Sequence, residues 1–594
     1  MRKITYIIAL FVLICGTTQA QTSYGEMDIT TKLKEKFYDK DGNLLTGKGV
    51  VVADMDSGID VFHPYFFFAD GGEFDWIDVD GNKKFTPWVD AVDLNKNGQA
   101  DANEKIGVLF IADGTYGLLG AKSPSYQADW DFLYVDANND KNRNYGLKEG
   151  FTEQDPTYGE QLLITIDADK NNTLSIGEKI VALKTSKVRS VREKNGTVRR
   201  RGVDLIHTEP DTIQHGTGVM GLVLGGHYGV QRIHGIAPDA ELVMANIDYK
   251  YTPPYVTEFP EYLEFIKGEN PNILLIEDGE WQWQFMDGST EEELMMDEMA
   301  RNGITVIGGG GNLAGAKELM KDTLSAGESE TYEISAPRKS EGKINDGIFT
   351  SFLWTEPSNK ISFVIETPEK MKTQVISDGS GFFTLGKYNI FYSRDVSSRN
   401  TVMMRFGFSE KDSGNVGGDW NITATSQQNV VLWGFTGDVS QSWSGTTHWK
   451  SHVTDEGTVT FPCTGDSVIA VAAYTVNYPF YPQDVIGDLC YYGGRGYNIT
   501  GKMGEDITAP GHTTFSTAPD FATQIFSGTS SAAPHVVGAA VLMLQYDPTL
   551  THSQIRQMLL SSASSDKFTG TVPNSDWGYG KLNIEAAIRK AMGK

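Results

Sequence analysis

Three short segments, far apart in the chain, carry the residue types needed for nucleophilic catalysis. Asp56 ends an apolar run and is followed by Ser-Gly, His215 opens a stretch rich in glycine, and Ser530 stands within Gly-Thr-Ser-Ser-Ala. An imidazole can deprotonate an alcohol, and a carboxylate can orient that imidazole and stabilise its charged form. Each segment alone also fits a plain structural role, as a turn, a helix start or a helix cap. Only together do they predict a catalytic Asp-His-Ser arrangement.

The flanking sequences indicate which elements would position these groups. Residues 49–55 are typical of a buried parallel strand, and open α/β sheets place their sites at the carboxyl ends of such strands. The small residues after His215 allow a helix to begin there and to pack closely on the sheet. Ser530 would lie in the first turn of a helix through residues 536–544. Unpaired backbone amides and the positive end of the helix dipole can hold an oxyanion at that position.

Taken together, and in the order Asp, His, Ser, the three segments resemble the subtilisin-like serine peptidases. The resemblance implies a doubly wound α/β core with a parallel sheet. It implies that Ser530 is the nucleophile, His215 the general base and then acid, and Asp56 the orienting group. It also implies an oxyanion donor at Asn312, which follows a β-branched strand and four glycines. Asp54 competes with Asp56 for the orienting role, and the Ser-Gly after Asp56 favours Asp56.

The same resemblance assigns substrate binding to residues 272–279 and to Gly310. Where relatives often have Ser-Leu-Gly, this chain has Glu277, Asp278 and Gly279. A carboxylate facing the primary pocket would favour a Lys or Arg side chain, and a solvated loop edge is the alternative. Gly279 and Glu280 also resemble a pair in tripeptidyl-peptidase relatives, in which an acid captures the substrate's amino terminus. An exopeptidase activity therefore stays open.

The 159 positions between Asp56 and His215 contain an acidic insertion with two calcium-type loops. Both follow the EF-hand spacing, with oxygen ligands at loop positions 1, 3, 5, 7, 9 and 12. The expected ligands are Asp93, Asn95, Asn97, Gln99, Asp101 and Glu104 in the first loop, and Asp167, Asp169, Asn171, Thr173, Ser175 and Glu178 in the second. We expect at least two structural Ca²⁺ ions, because the segment has no strong apolar core of its own. Stretches that begin at Asp136 and at Asp78 are incomplete and fit acidic turns equally well.

A second insertion separates Asn312 from Ser530. Apolar and polar residues alternate in short runs between positions 320 and 445, for example at Ile348, Thr350 and Phe352. This pattern predicts antiparallel strands packed as a β-sandwich or jelly roll. We expect this insertion to stabilise the core or to restrict access to the cleft.

Composition and the N-terminus bound the compartment and the partners. The formal net charge of −26 argues against nucleic acid or an anionic membrane as a partner and suits a protein that holds divalent cations. Arg2, Lys3 and an apolar run before Ala20 are typical of a signal peptide cleaved after Ala20. Asp56 would follow the cut by 36 residues, so we expect no propeptide of small-domain size. Cys463 and Cys490 could form a disulfide or remain free and buried.

The predicted organisation divides the chain into six parts. These are a signal peptide at 1–20, catalytic segments at 21–75, 201–315 and 451–594, an acidic insertion at 76–200, and a β-sandwich insertion at 316–450. The expected function is that of a secreted or periplasmic serine endopeptidase acting on proteins or peptides. The alternatives are an exopeptidase and a catalytically silent calcium-binding scaffold. The oligomeric state is left open.

Overall fold

The structure is a computed structural model that describes residues 36–114, 125–231, 234–250, 253–340, 342–412, 414–440 and 446–594. The expected signal peptide lies outside the described residues. Within these ranges, no helix combines the length and the apolar character that a membrane span requires.

The secondary structure comprises six α-helices and twenty-nine strands in the described ranges. The helices are α1 (His215–Leu224), α2 (Phe259–Glu269), α3 (Glu291–Arg301), α4 (Thr529–Tyr546), α5 (His552–Ser562) and α6 (Ile584–Ala591). The strands before α1 are β1 (Val51–Asp56), β2 (Glu73–Phe74), β3 (Trp76–Ile77), β4 (Ala91–Val92), β5 (Ile106–Leu109), β6 (Phe132–Val135), β7 (Leu162–Ile166), β8 (Lys179–Ala182), β9 (Val188–Arg192) and β10 (Val198–Arg200). Those between α1 and residue 340 are β11 (Glu241–Asn246), β12 (Ile273–Ile276), β13 (Thr305–Gly309), β14 (Leu319–Leu324), β15 (Ser329–Ala336) and β16 (Lys339–Ser340). The remaining strands are β17 (Lys343–Ile344), β18 (Gly347–Trp354), β19 (Ile361–Glu366), β20 (Ser380–Leu385), β21 (Tyr388–Val396), β22 (Val402–Glu410), β23 (Gly418–Ser426), β24 (Val430–Asp438), β25 (His448–Trp449), β26 (Ile469–Thr475), β27 (Ile507–His512), β28 (Thr514–Ala518) and β29 (Ala522–Phe526).

The central sheet has the strand order β10-β9-β11-β1-β12-β13-β26-β27. All of its pairs are parallel except β10 with β9. Strand β12 shows why these segments form a sheet, because all four of its residues are apolar and buried between two layers of helices. Helices α1 and α4 cover one face, and α2 and α3 cover the other. The α/β class with a doubly wound parallel sheet is therefore as predicted.

The acidic segment folds as an antiparallel sheet in the order β2-β8-β7-β6-β5. Trp76, Ile106, Leu133, Leu163 and Ile180 are buried in an apolar cluster of its own. The expectation that this segment has no strong core was wrong. Its apolar residues come in runs of four or five separated by long polar loops, which hides the core in the sequence.

The segment between Asn312 and Ser530 forms two antiparallel sheets, in the orders β14-β24-β18-β22-β21-β20 and β19-β23-β15-β25. Side chains from both sheets, among them Phe352, Phe363 and Trp420, share one buried cluster. A second cluster joins the six-stranded sheet to the catalytic segments, because Trp433 and Phe435 pack with Trp281 and Leu313. The two sheets are thus attached to the loop that follows β12.

Helix α1 can approach β1 only because Gly216 has no side chain. A methyl group on Gly216 would overlap the carbonyl oxygen of Gly58 and contact the Asp56 side chain. Overpacking of this kind typically costs about 1–3 kcal/mol. We therefore expect Gly216→Ala to lower the melting temperature measured by circular dichroism and to displace His215.

Gly268, in the exposed part of α2, is the matched control. A methyl group there meets no atom within 4 Å, and alanine favours the helix over glycine by about 1 kcal/mol. Gly268→Ala should leave the melting temperature unchanged or raise it. Equal melting temperatures for the two variants would contradict the close approach at Gly216.

Candidate active site

The Asp56 carboxylate and the His215 imidazole meet at the carboxyl end of the central sheet. Nδ1 of His215 lies 2.8 Å from both carboxylate oxygens of Asp56. Asp56 is fully buried, whereas about a third of the His215 side chain is exposed. Burial disfavours the charged imidazole, but the Asp56 carboxylate outweighs this and raises the pKa of His215 to about 9. The contact of Nδ1 with Asp56 orients the imidazole and leaves Nε2 available to exchange a proton with another group.

A second carboxylate, that of Asp211, fixes the start of α1. It accepts hydrogen bonds from the Ser57 hydroxyl at 2.9 Å and from both the amide and the hydroxyl of Thr217. The Ser57 hydroxyl in turn accepts a hydrogen bond from the Gly216 amide at 3.0 Å. The turn after β1 and the first turn of α1 are therefore held together on both sides of the Asp56–His215 contact.

Ser530 lies in the first turn of α4, after Gly528, whose φ of 130° favours glycine. In the described part of the chain, no hydrogen bond joins the Ser530 hydroxyl to His215. Catalytic hydrogen bonds are often long in unliganded enzymes and shorten when substrate binds. The Ser530 hydroxyl instead interacts with the carboxyl of Glu277, which also feels the charges of His215 and Asp56. The three predicted catalytic groups therefore gather around Glu277.

Asn312 faces the same helix start. Its Oδ1 accepts a hydrogen bond from the Thr529 amide at 2.9 Å and from the Thr529 hydroxyl at 3.3 Å. This fixes the amide orientation and leaves Nδ2 as the available donor. Nδ2 lies 3.5 Å from the position that a side chain on Gly528 would take. The donor is therefore beside the loop that carries Ser530, as an oxyanion site requires.

Asp54 is also near the triad but does not contact the imidazole. It is fully buried, and neither carboxylate oxygen has a hydrogen-bond partner in the part of the chain that the structure describes. Burial raises its pKa well above the ordinary value, and the nearby carboxylates of Asp56, Glu277 and Asp211 raise it further. Asp54 therefore favours its neutral form, and Asp56 is the residue that contacts His215.

The predicted substrate-binding residues follow the carboxyl ends of β12 and β13, two paired strands of the central sheet. Both oxygens of Glu277 are buried, and Asp278 is almost fully buried. Burial, together with the charges of Glu280 and Asp56, raises the pKa of Asp278 well above its ordinary value. A side chain on Gly279 would touch the Thr460 hydroxyl at 2.9 Å. The carboxyl groups of Glu277 and Asp278 are therefore buried rather than exposed to solvent.

Gly310 covers another buried acid. A side chain at Gly310 would overlap the carboxyl of Glu505, whose oxygens have no hydrogen-bond partner in the described ranges. Burial raises the pKa of Glu505 well above its ordinary value, and the charge of Asp506 adds to this effect. Glu505 could not be singled out from the sequence, because an acid between Gly and Asp is typical of a surface turn.

The two predicted calcium-type loops have the same backbone arrangement. Carboxylates at position 1, Asp93 and Asp167, accept hydrogen bonds from the amides at positions 5 and 6. Carboxylates at position 12, Glu104 and Glu178, accept from the amides at positions 2, 3 and 9. Carboxylate oxygens of Asp167, Asp169 and Glu178 lie within 4.8 Å of one another. The donor set consists of hard oxygens and fits Ca²⁺.

The two stretches that the sequence left incomplete have the same arrangement. In the loop that begins at Asp136, Glu160 accepts from the amides at positions 2 and 9, at 3.0 and 2.9 Å. In the loop that begins at Asp78, Asp90 does the same at 2.9 and 2.6 Å. Carboxylate oxygens of Asp78, Asp80 and Asp90 also lie within 4.8 Å of one another. The closing carboxylate in each case comes from outside the twelve-residue frame, so a fixed spacing cannot find it.

The two cysteines expected after signal cleavage are free and buried. Cys463 donates a hydrogen bond to the carbonyl of Gly309 at 3.2 Å, and Cys490 lies near the Thr475 hydroxyl. Of the two alternatives for these residues, the structure has the free thiols. Burial raises the pKa of both thiols, that of Cys490 to about 12, so they are unreactive at neutral pH.

Comparisons with known proteins agree with this geometry. A family model described as "Subtilase family" matches residues 359–580, less than half of the chain. Subtilisin DY from Bacillus licheniformis is 34% identical over 136 residues, which are 23% of this chain and 42% of that protein. Subtilisin BL from Lederbergia lenta is 42% identical over 86 residues, which are 14% of this chain and 30% of that protein. The chain thus matches less than half the length of these relatives.

One solved structure extends the likeness in fold to nearly the whole chain. The Clostridium perfringens CspB protease has a TM-score of 0.62 over 93% of this chain and 96% of its own, at 16% sequence identity. At that identity the likeness concerns the fold alone. Over the matched stretches, the chain is similar to the subtilisins and to the subtilase family of serine peptidases.

Proposed function

We propose that this chain is a serine endopeptidase that hydrolyses peptide bonds through an acyl-enzyme at Ser530. The single observation that carries the proposal is the 2.8 Å contact between His215 Nδ1 and the buried Asp56 carboxylate. This contact holds the proton on Nδ1 and leaves Nε2 as the base. The Ser530 hydroxyl, at the start of α4, is the alcohol within the same group of side chains.

In the first half of the reaction, His215 takes the Ser530 proton while Oγ attacks the substrate carbonyl. His215 then gives that proton to the departing amine, and the acyl group remains on Ser530. A water molecule, deprotonated by His215, completes the second half. The negative oxygen that forms in each half would be stabilised by Asn312 Nδ2 and the Ser530 amide. Asp56 remains ionised throughout and stabilises the imidazolium.

An endopeptidase is favoured over an exopeptidase by the contacts of Glu280. Its carboxylate accepts hydrogen bonds from the amides of Tyr255 and Val256 and from the side chain of Gln284. Glu280 is 1% exposed, so its oxygens are already used inside the protein. A substrate's amino terminus would have to displace these donors. We assign substrate binding to the backbone of residues 277–279 and to Gly310, with proteins or peptides as substrates.

We further propose that the loops at 93–104 and 167–178 bind Ca²⁺ as a structural ion. The first loop lies between β4 and β5, and the second between β7 and β8, strands of the acidic insertion. The insertion packs beside the catalytic segments. Calcium bound to only the folded loops would stabilise the fold by mass action, by about 2.7 kcal/mol per site at a hundredfold excess over Kd. Export to the periplasm or the medium fits this requirement, because calcium is abundant there. The six parts that the sequence predicts remain our proposed organisation, except that β9 and β10 pair within the central sheet and β2 pairs within the sheet of the acidic insertion. The two facing sheets at 316–450 would brace the loop after β12.

Covalent labelling tests the nucleophile. A fluorophosphonate probe should label the native protein at Ser530, and Ser530→Ala should abolish labelling and lower peptide hydrolysis on the order of 10⁶-fold. Peptide mapping by mass spectrometry locates the label. Equal labelling of both proteins would refute the enzyme proposal in favour of the silent scaffold. A blocked peptide distinguishes the two peptidase classes, because an exopeptidase cannot cleave it.

The oxyanion donor is tested by Asn312→Ala. Loss of one such donor typically costs about 2.7–4 kcal/mol of transition-state stabilisation. We expect kcat to fall on the order of 10²–10³-fold with little change in KM or melting temperature. A rate near that of the wild type would show that the oxyanion is held elsewhere.

Chelation tests the calcium loops. Excess chelator should lower the melting temperature, and the double variant Glu104→Gln/Glu178→Gln should show a much smaller difference between calcium and chelator. Glu149→Gln, an exposed acid in the same segment, is the control and should respond like the wild type. An unchanged melting temperature of the wild type in chelator would remove the structural role of calcium.

A further inference from the structure

Glu277 is a buried acid of the catalytic centre for which the mechanism above has no role. Strand register explains its position. Met55 pairs with Ile276, and Ile276 pairs with Gly308, so Glu277 is in step with Asp56 on one side and Gly309 on the other. Neither of its carboxyl oxygens has a well-formed hydrogen bond in the described residues, and both are buried.

The missing side chain of Gly309 makes room for this carboxyl. A methyl group there would lie 3.1 Å from Oε2 of Glu277 and 3.2 Å from the carbonyl carbon of Thr529, the residue before the nucleophile. The carboxyl therefore fills the space beside the start of α4. The Ser530 hydroxyl is close enough to interact with it.

The charged and titratable groups around Glu277 come from several elements. They are His215 on α1, Asp54 and Asp56 on β1, Tyr249 after β11, and Cys463 before β26. Burial raises the pKa of Glu277 well above its ordinary value; His215 and the Ser530 hydroxyl oppose this rise, and the Asp56 charge adds to it. A buried carboxyl whose oxygens have no hydrogen-bond partner in the described residues favours its neutral form. A neutral carboxylic acid can donate a hydrogen bond, whereas a carboxylate can only accept one.

We propose that protonated Glu277 is a positioning residue that donates a hydrogen bond to Ser530 Oγ and leaves the serine's own proton for His215 Nε2. The inference rests on the proposed peptidase function. When Glu277 ionises, its carboxylate accepts the hydrogen bond from the serine hydroxyl and draws it away from His215. The same charge also stands beside the oxyanion that must form. Glu277 and His215 titrate as a coupled pair. In the productive form Glu277 is protonated and Nε2 of His215 carries no proton.

The direction of the pH dependence follows from this pairing. As pH rises, the proton leaves Glu277, so the rate of attack by Ser530 should fall on the alkaline side. Glu277→Gln keeps a hydrogen-bond donor and cannot ionise, so its alkaline decline should be absent or much weaker. On the acid side Glu277 is protonated and neutral, so Glu277→Gln removes no charge there. The acid side of the profile should therefore stay in place.

The rate of Ser530 modification by a fluorophosphonate, measured across the pH range, tests this without a known substrate. Wild type and Glu277→Gln are compared, with circular dichroism at each pH to confirm folding. Glu277→Asp withdraws the carboxyl from Ser530 and should react at least about tenfold more slowly than wild type, while keeping the alkaline decline. Glu293→Gln is the control. This buried acid, whose pKa burial raises to about 7, caps α3 through Thr290 away from the cleft.

The pH profiles of wild type, Glu277→Gln and Glu293→Gln decide between the possible roles of Glu277. Loss or marked weakening of the alkaline decline in Glu277→Gln, with the Glu293→Gln profile matching wild type, supports the proposal. Superimposable profiles of wild type and Glu277→Gln, with Ser530 labelled in both, overturn the role of Glu277 and leave the peptidase intact. If Glu293→Gln weakened the alkaline decline equally, the decline would come from ionisation of buried acids in general. That result would also overturn the role of Glu277. Failure of the wild type to label at Ser530 would defeat both proposals.

Discussion

The arrangement depends on one buried contact, between the Asp56 carboxylate and His215 Nδ1. A carboxylate removed from water is costly unless donors surround it, and here the imidazole and the Ser57 amide fulfil that need. The contact requires β1 and α1 to approach within the space of a missing side chain at Gly216. Asp211 and Ser57 then hold the two elements together. The position of the His215 imidazole is thus fixed by the fold.

The buried carboxyl groups at this edge of the sheet are too many to be ionised at the same time. Asp54, Asp56, Glu277 and Asp278 lie on the ends of two neighbouring strands, and three of them have a raised pKa. Like charges in a buried site cannot all form, so protons remain on some of them. Of these four acids, Asp56 is the one that contacts the His215 imidazole. Each of the other three has at least one buried carboxyl oxygen without a hydrogen-bond partner in the described residues.

The sequence predicted the fold class, the meeting of Asp56 with His215 and the place of Asn312 beside the start of α4, because each rests on a local pattern with a physical reason, such as an apolar run that ends at a carboxylate. The catalytic roles of these residues stay proposals. It could not predict contacts made between distant segments. Glu160 and Asp90 close acidic loops from outside their frame, and Glu505 lies under Gly310. The core of the acidic insertion was missed because its short apolar runs assemble only when the strands pair.

The most direct test of the account is a crystal structure with a peptide boronic acid, which mimics the tetrahedral intermediate. The account predicts a covalent bond between boron and Ser530 Oγ. It predicts one boronate oxygen about 3 Å from Asn312 Nδ2 and the Ser530 amide, and His215 Nε2 within hydrogen-bond distance of the adduct. An adduct on another residue, or one on Ser530 that leaves His215 out of reach, would contradict it.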